Sequence, residues 1–151
     1  MKKLLIAATA LIFSSALSAQ QEKFEDHVKF KVTEHDFGKI KVGVPVTYDF
    51  AINNVGKTPV VVESATASCG CTTPVKPDQP IMGGDANKIT AGFNAASPGP
   101  FTKTITVKLA GVEEVKVITI KGEVLTDEAY AEYVKTSKAS AKPKSTKPAN
   151  N

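Results

Sequence analysis

The chain contains no tryptophan and no arginine, and cysteine occurs only twice among its 151 residues. Every basic side chain is therefore a lysine. Between residues 20 and 134, 12 lysines stand against 15 acidic residues, a net charge of −3, and the remaining positive charge is concentrated at the two ends. The region that could fold is thus mildly acidic, which argues against a basic face for nucleic acid.

Sequence motifs of the common enzyme classes are also missing. The chain has no Gly-rich phosphate loop, dinucleotide fingerprint or calcium loop, and no serine lies in a Gly-x-Ser-x-Gly element. His35 and Asp36 are adjacent, and neighbours in a strand point to opposite faces, so they cannot form a catalytic dyad there. Residues 36–38 instead predict a turn or bulge. We predict a protein that is not an enzyme, with no catalytic and no cofactor-binding residues.

Long apolar runs are absent as well. The apolar stretch Leu4–Phe13 follows Lys2 and Lys3 and is too short to span a bilayer. Small residues lead from it to Ala19, in the order of a secretory signal peptide. We predict a signal peptide over residues 1–19, a linker over 20–27 and export to the periplasm or beyond. No cysteine near the cleavage point could carry a lipid, so we expect neither a lipoprotein nor a transmembrane span.

Period-two alternation of apolar and polar residues dominates the middle of the chain. It predicts about seven short strands separated by Gly, Pro or Asn, the clearest being at residues 46–52, 89–93 and 101–109. We interpret residues 28–125 as an all-β, immunoglobulin-like β-sandwich. The chain lacks the tryptophan and the widely separated cysteines of antibody domains, so aliphatic and Phe side chains must fill its core. A small β-barrel is the rival architecture.

The C-terminal region has a different composition. Thr126 followed by two acidic residues predicts the start of a short helix over residues 126–135. Residues 136–151 are rich in Lys, Ser and Pro, with no apolar residue larger than Ala. Such a segment buries too little area to offset its ordering entropy, so we predict a disordered tail. It would act either as a cationic tether or as a solubilising extension.

Cys69 and Cys71 are one residue apart. They could form a local disulfide, remain structural thiols or hold a soft metal such as Cu(I). Gly70 would let the chain bend enough for a bridge, although closing so small a ring stabilises the fold by only about 1.6 kcal/mol. No cofactor is required, and copper is the one we would test. His27, His35 and Met82 are further metal-ligand candidates, but their spacing does not demand that role.

Proline and glycine punctuate the segment that follows the cysteines. We interpret it as a long rigid loop, suited to a binding surface but equally to a plain crossover. Its candidate binding residues are Gly70, Thr72, Pro74, Pro77, Pro80, Gly83 and Gly84.

Several motifs together resemble a known family. They are Glu34-His35-Asp36-Phe37-Gly38, Asn53-Asn54-Val55-Gly56, Ser68-Cys69-Gly70-Cys71-Thr72 and the strands near residues 98–107 and 118–124. The chain resembles the domain of unknown function family 1573, and the Ser-Cys-Gly-Cys-Thr element is the most specific part of the likeness. The resemblance implies an exported immunoglobulin-like domain of Gram-negative bacteria and implies no activity.

Two classes of function remain. The first is a non-catalytic binding or assembly module that recognises another envelope protein through a sheet edge or the Pro/Gly segment. The alternative is a thiol-based periplasmic protein, redox-active or copper-binding through Cys69 and Cys71.

Overall fold

The computed structural model describes residues 22–140, so the predicted signal peptide and residues 141–151 of the predicted tail lie outside it. It contains eight strands and two helices. In chain order they are α1 Phe24–His27, β1 Val28–Phe30, β2 Glu34–Lys41, β3 Val46–Asn54, β4 Val62–Ala67, β5 Thr72–Val75, β6 Ala86–Phe93, β7 Gly99–Leu109, β8 Val115–Leu125 and α2 Asp127–Ser140. No helix in this part of the chain is long and apolar enough to cross a membrane.

The strands form two sheets of four. The first sheet has the order β1-β3-β6-β5 and the second has the order β2-β8-β7-β4. Neighbouring strands are antiparallel except for β2 and β8, which run parallel. The predicted β-sandwich is confirmed with one strand more than expected, and two separate sheets rule out the small barrel.

Alternate side chains from the two sheets form one core. Phe50 and Ile52 of β3 and Ile118 and Ile120 of β8 are completely buried. Their polar neighbours along each strand point outward, as period-two alternation requires. The core consists of aliphatic and Phe side chains, as the absence of tryptophan predicted.

The N-terminal segment is not a plain linker. The sequence led us to separate residues 20–27 from the domain, but Phe24 is only 1% exposed. Its ring stacks against Phe30 at 6.0 Å between centroids, and its backbone N–H donates to the Glu114 carboxylate at 2.7 Å. One aromatic side chain therefore anchors a segment that is otherwise polar.

Helix α2 is longer than the predicted range of 126–135, because it continues to Ser140. Thr126 caps its start as expected, since Thr126 Oγ1 accepts a hydrogen bond from Ala129 N at 3.3 Å. Near its end, the hydroxyls of Thr136 and Ser137 donate to the carbonyls of Glu132 and Val134. Both hydroxyls are hydrogen-bonded to carbonyl groups of the same helix, so Thr and Ser at these positions do not end the helix.

Asn54 is a buried polar residue at the end of β3, only 1% exposed. Its Nδ2 donates to the carbonyls of Thr58 and Ile81, each at 2.8 Å. Its Oδ1 accepts a hydrogen bond from Gly56 N at 2.9 Å. The side chain therefore holds the turn after β3 against the segment that precedes β6.

Replacing Asn54 with Ala should lower the free energy of unfolding by about 2 kcal/mol, because buried backbone groups lose their partners. Urea denaturation would measure the change. Asn53→Ala is the matched control, since Asn53 is exposed on the same strand, and it should cost no more than about 0.5 kcal/mol. Equal effects of the two variants would contradict the role given to Asn54.

Candidate functional site at the disulfide turn

The turn at residues 68–71 carries the chain from the second sheet to the first. Ser68 extends β4, because its N–H donates to Thr104 O at 2.9 Å and its Oγ accepts from Thr104 N at 3.2 Å. The next strand, β5, begins at Thr72 and pairs with β6. A hydrogen bond from Thr72 N to Cys69 O, 3.3 Å long, closes the turn. Two edge strands of different sheets are thus joined by a very short link.

A disulfide joins Cys69 and Cys71 within this turn, with 5.3 Å between their Cα atoms. That separation lies within the usual disulfide range. Both cysteines are partly exposed, whereas the next residue, Thr72, is buried. Thr72 Oγ1 lies 3.6 Å from Cys69 Sγ, and since a bridged sulfur has no hydrogen, the hydroxyl is the donor.

Gly70 does not need to be glycine for steric reasons. Its φ is not positive, and a Cβ built there would meet nothing within 4 Å. The expectation that glycine lets the chain bend here has no support in the backbone.

A pocket of about 280 Å³ lies beside the disulfide turn, lined by Cys71, Phe93, Phe101, Lys103 and the loop that joins β6 to β7. The rings of Phe93 and Phe101 stack with centroids 4.0 Å apart. Both belong to the core, at 6% and 7% exposed, so only a small part of each ring reaches the pocket. Asn94 N donates to Cys71 O at 3.1 Å, which ties the turn to this loop.

Of the residues that line this pocket, one is charged, and it is Lys103. It lies opposite Ile120 in the ladder between β7 and β8. Ile120 is completely buried, so Lys103 occupies an inward register position near the end of the sandwich. The site therefore combines an aromatic surface, a disulfide sulfur and an ammonium group.

The loop at residues 94–98 that closes the pocket is held in an unusual conformation. Ala95 has a φ of +50°, the one positive value among the described residues other than glycine. It is buried, and its carbonyl accepts a hydrogen bond from Gly43 N at 2.9 Å. Such a conformation costs energy in an L-residue and persists when its surroundings impose it.

The predicted binding loop is divided by the structure. Pro74 lies inside strand β5, and Pro77 lies in the connection that follows, beside a shallow pocket of about 350 Å³. Pro80 precedes the bridge between Ile81 and Val60. Gly83 and Gly84 belong to the turn before β6, whereas Cys71 lies beside its end. Gly83 and Gly84 are therefore separated from Cys71 by the length of β6, roughly 23 Å.

Gly83 and Gly84 have structural reasons for being glycine. A Cβ at Gly83 would lie 2.5 Å from Lys57 O. Gly84 has a φ of +85°, which favours glycine. The sequence alone could not distinguish this close backbone approach from a binding loop.

His35 and Asp36 make separate contacts. Its ring stacks on Tyr48 at 3.6 Å between centroids and meets the edge of Phe37. The Asp36 carboxylate accepts a hydrogen bond from Gly38 N at 2.7 Å, in the bulge that the sequence predicted. The side chains in residues 22–137 include no group of three or more His, Cys, Asp or Glu that could hold a metal ion.

A third surface hollow, of about 380 Å³, is also lined by Phe101. Its charged lining residues carry both signs: Asp36, Lys39, Lys121 and Glu123. The hydrogen bond from Lys121 to Glu34 raises the pKa of Lys121. Gly122 has no room for a side chain, because a Cβ there would lie 2.8 Å from Gly38 O and 3.0 Å from the Phe101 ring. Gly122 thus leaves the space that the Phe101 ring needs.

The fold belongs to the broad class of immunoglobulin-like and PapD-like β-sandwiches. A protein of unknown function from Porphyromonas gingivalis W83 is similar, with a TM-score of 0.57 and 20% identity over 72% of this chain and 50% of that chain. The match therefore spans half of that protein. The ASH/PapD-like domain of human CEP192 is similar with a TM-score of 0.55 and 11% identity, over 67% of this chain and 87% of that chain. At these identities the likeness shows the fold alone.

The sequence comparison is more specific. The model of a family described as a protein of unknown function (DUF1573) matches residues 28–124. The chain belongs to this family, as its resemblance predicted. A search among curated proteins found no match.

Two glycine substitutions test which glycine of the predicted loop the fold requires. Gly83→Ala should lower the free energy of unfolding by about 1–3 kcal/mol, because the new methyl group overlaps the Lys57 backbone. Gly70→Ala is the matched control and should stay within about 0.5 kcal/mol. Urea denaturation of both variants tests the contrast, and a destabilised Gly70→Ala would show that the turn requires glycine after all.

Proposed function

We propose that this protein is a non-catalytic binding module of the cell envelope and that the disulfide end of the sandwich is its binding surface. The observation that carries the proposal is the pocket beside the turn, with Phe93 and Phe101 as its apolar surface, Cys71 in its wall and Lys103 as its cation. Aromatic side chains are enriched at protein-recognition sites, and a charged group beside them selects partners by electrostatic complementarity.

The size of the pocket favours a side chain of a partner protein over a cofactor. Its volume of about 280 Å³ falls just below the range of ligand pockets, which begins near 300 Å³. It suits a single large apolar side chain inserted against the stacked rings. Lys103 then complements a carboxylate at a neighbouring position of the partner.

The disulfide has a positioning role in this proposal. It holds the short link between β4 and β5 in one shape, so the wall of the pocket is already formed before a partner arrives. Pre-organisation of this kind improves affinity because less conformational freedom is lost on binding. The small contribution of so short a ring to folding stability fits a local role.

Export is part of the proposal and rests on the pattern of residues 1–19. An oxidising compartment would keep Cys69 and Cys71 bridged. The partner would then be another protein of the envelope, met outside the cytoplasm.

Site-specific photocrosslinking in the native host tests the binding surface. A photoreactive amino acid at Ser97, an exposed lining residue of the pocket, should give a discrete adduct with an envelope protein. The same amino acid at Gln79, exposed beside the shallow pocket near Pro77, is the matched control and should not. Lys103→Glu, or Cys69→Ser with Cys71→Ser, should remove the Ser97 adduct from protein that is still folded. Identical adducts from both positions would contradict the proposal.

The alternative, a thiol-based protein, is favoured by one observation: Cys71 and Lys103 line the same pocket. A cation near a reduced cysteine favours the reactive thiolate. The binding module and the thiol-based protein predict different results for a variant that keeps only one cysteine. With Cys69→Ser, a thiol-exchange protein leaves Cys71, the cysteine beside Lys103, trapped in a mixed disulfide with its substrate, whereas a binding module forms no such adduct.

Intact mass spectrometry of protein purified from the envelope examines export and redox state together. We expect a chain beginning at or near Gln20 whose mass rises by two hydrogens on reduction, with no bound copper. A reductant-sensitive protein adduct in Cys69→Ser, or copper retained by the native protein, would favour the alternative. Recovery of Met1 on the mature protein would contradict export.

A further inference from the structure

The sandwich has four edge strands, β1 and β5 in the first sheet and β2 and β4 in the second. An edge strand presents backbone N–H and C=O groups that a strand of another protein can pair with. Proteins usually protect such edges by making them short, charged, bulged or covered. The four edges here differ clearly in this respect.

Two of the edges are protected. Strand β1 has only three residues. Strand β2 contains a bulge between Asp36 and Lys39, and helix α2 lies against it. Lys41 forms a salt bridge with Asp127 at 3.2 Å, and Lys39 lies 5.2 Å from the centroid of the Tyr133 ring.

Strand β5 is protected by a different device. Asn94 N donates to Cys71 O, so the alternating ladder directs the backbone groups of Thr73 and Val75 toward β6. Thr72 and Pro74 then face the free edge. The Thr72 N–H already donates to Cys69 O, and proline has no N–H. Within residues 72–75, the free edge therefore offers carbonyl groups without a free donor.

Strand β4 has its hydrogen-bonding groups available. Ser68 N donates to Thr104 O, and Thr66 pairs with Thr106 in the same ladder. Because an antiparallel ladder alternates, Ala65 and Ala67 direct both their N–H and C=O groups away from β7. The one bulge in this pairing lies between Val62 and Ser64, so residues 64–67 remain regular. Their side chains include no charge and no proline.

We propose that β4 accepts an extended segment of the partner protein as an additional strand of the second sheet, next to the disulfide turn. This inference rests on the proposed function and specifies how the partner binds. The backbone N–H and C=O groups of Ala65 and Ala67 form the hydrogen bonds to the added strand. The added strand ends at the turn of residues 68–71.

The side chains of β4 define the chemistry of the partner. Ala65 and Ala67 are partly buried and pack against the core, so they lie on the inner face and are small. Larger apolar residues at alternate positions of the partner segment would fill the space beside them. Thr66 lies on the opposite, outer face and is exposed, which suits polar residues at the intervening positions.

A second copy of this chain is a poorer occupant. Antiparallel pairing of two β4 strands would place alanine opposite alanine on the inner face, and little apolar area would be buried. A stable dimer typically needs on the order of 1,000 Å² or more. The occupant is therefore a segment of another protein with alternating apolar and polar residues.

An NMR titration of the isotope-labelled protein tests this. The probe is a synthetic peptide, acetyl-Lys-Thr-Val-Thr-Ile-Thr-Val-Lys-amide, compared with a peptide of the same composition whose apolar residues are consecutive. We expect the alternating peptide to bind at least about tenfold more tightly. Its largest shifts should lie at Ala65 and Ala67, and it should slow exchange of their amide hydrogens.

Ala65→Pro should weaken binding of the alternating peptide at least about tenfold, because the ring removes an outward N–H without removing a bond to β7. Ala67→Lys, which places a charge on the inner face of the edge, is a second blocking variant in case Ala65→Pro is unstable. Pro74→Ala is the matched control, since it restores an N–H on the β5 edge, and it should leave the affinity unchanged.

Equal affinity for the two peptides, or shifts centred on Glu34–Lys41 or Thr72–Val75, would overturn the assignment to β4. So would a dimer in sedimentation analysis that Ala65→Pro dissociates, because the occupant would then be a second copy. If the Ser97 crosslink forms while both blocking variants bind the peptide normally, the binding function stands and the edge assignment is wrong.

Discussion

The short covalent link between β4 and β5 is the constraint on which the candidate site depends. Only residues 68–71 separate the two strands, and they must cross from one sheet to the other. The crossing places the edge of one sheet beside the edge of the other. The disulfide and the hydrogen bond from Thr72 N to Cys69 O fix its path, and the wall of the neighbouring pocket follows from that path.

The same crossing makes the two neighbouring edges chemically different. On β5, the turn uses the Thr72 N–H and Pro74 supplies none, so that edge cannot donate. On β4, the regular ladder with β7 continues to Ser68 and leaves Ala65 and Ala67 open. This difference, with one edge closed and the other available, is the basis for our proposal that a partner pairs with β4. The pocket with Phe93, Phe101 and Lys103 then lies at the end of that side.

Much of the fold could be predicted from alternation, because each long strand has one buried and one exposed face. The pattern at residues 46–52 and 101–109 shows this directly. Strand β5 was missed because Pro74 argues against a strand and is tolerated only on an edge. Phe24 was missed because a single buried aromatic in a polar segment has no periodicity. The close approach of Gly83 to Lys57 depends on residues far apart in the chain.

The sequence predicted only part of the candidate site. The cysteine pair drew attention to the turn. Phe93 and Phe101 are core residues, as their alternation predicted, and nothing in the sequence indicates that they also line a pocket. Lys103 was the available signal, since it falls at an inward position between Phe101 and Ile105 in an otherwise apolar register.

Amide hydrogen exchange in the free protein, resolved by residue, is the most direct test of the open backbone groups on β4. We predict that the amides of Ala65 and Ala67 exchange at least about 100-fold faster than those of Thr66 and Ser68. Equally slow exchange of all four amides would contradict an open pairing edge on β4.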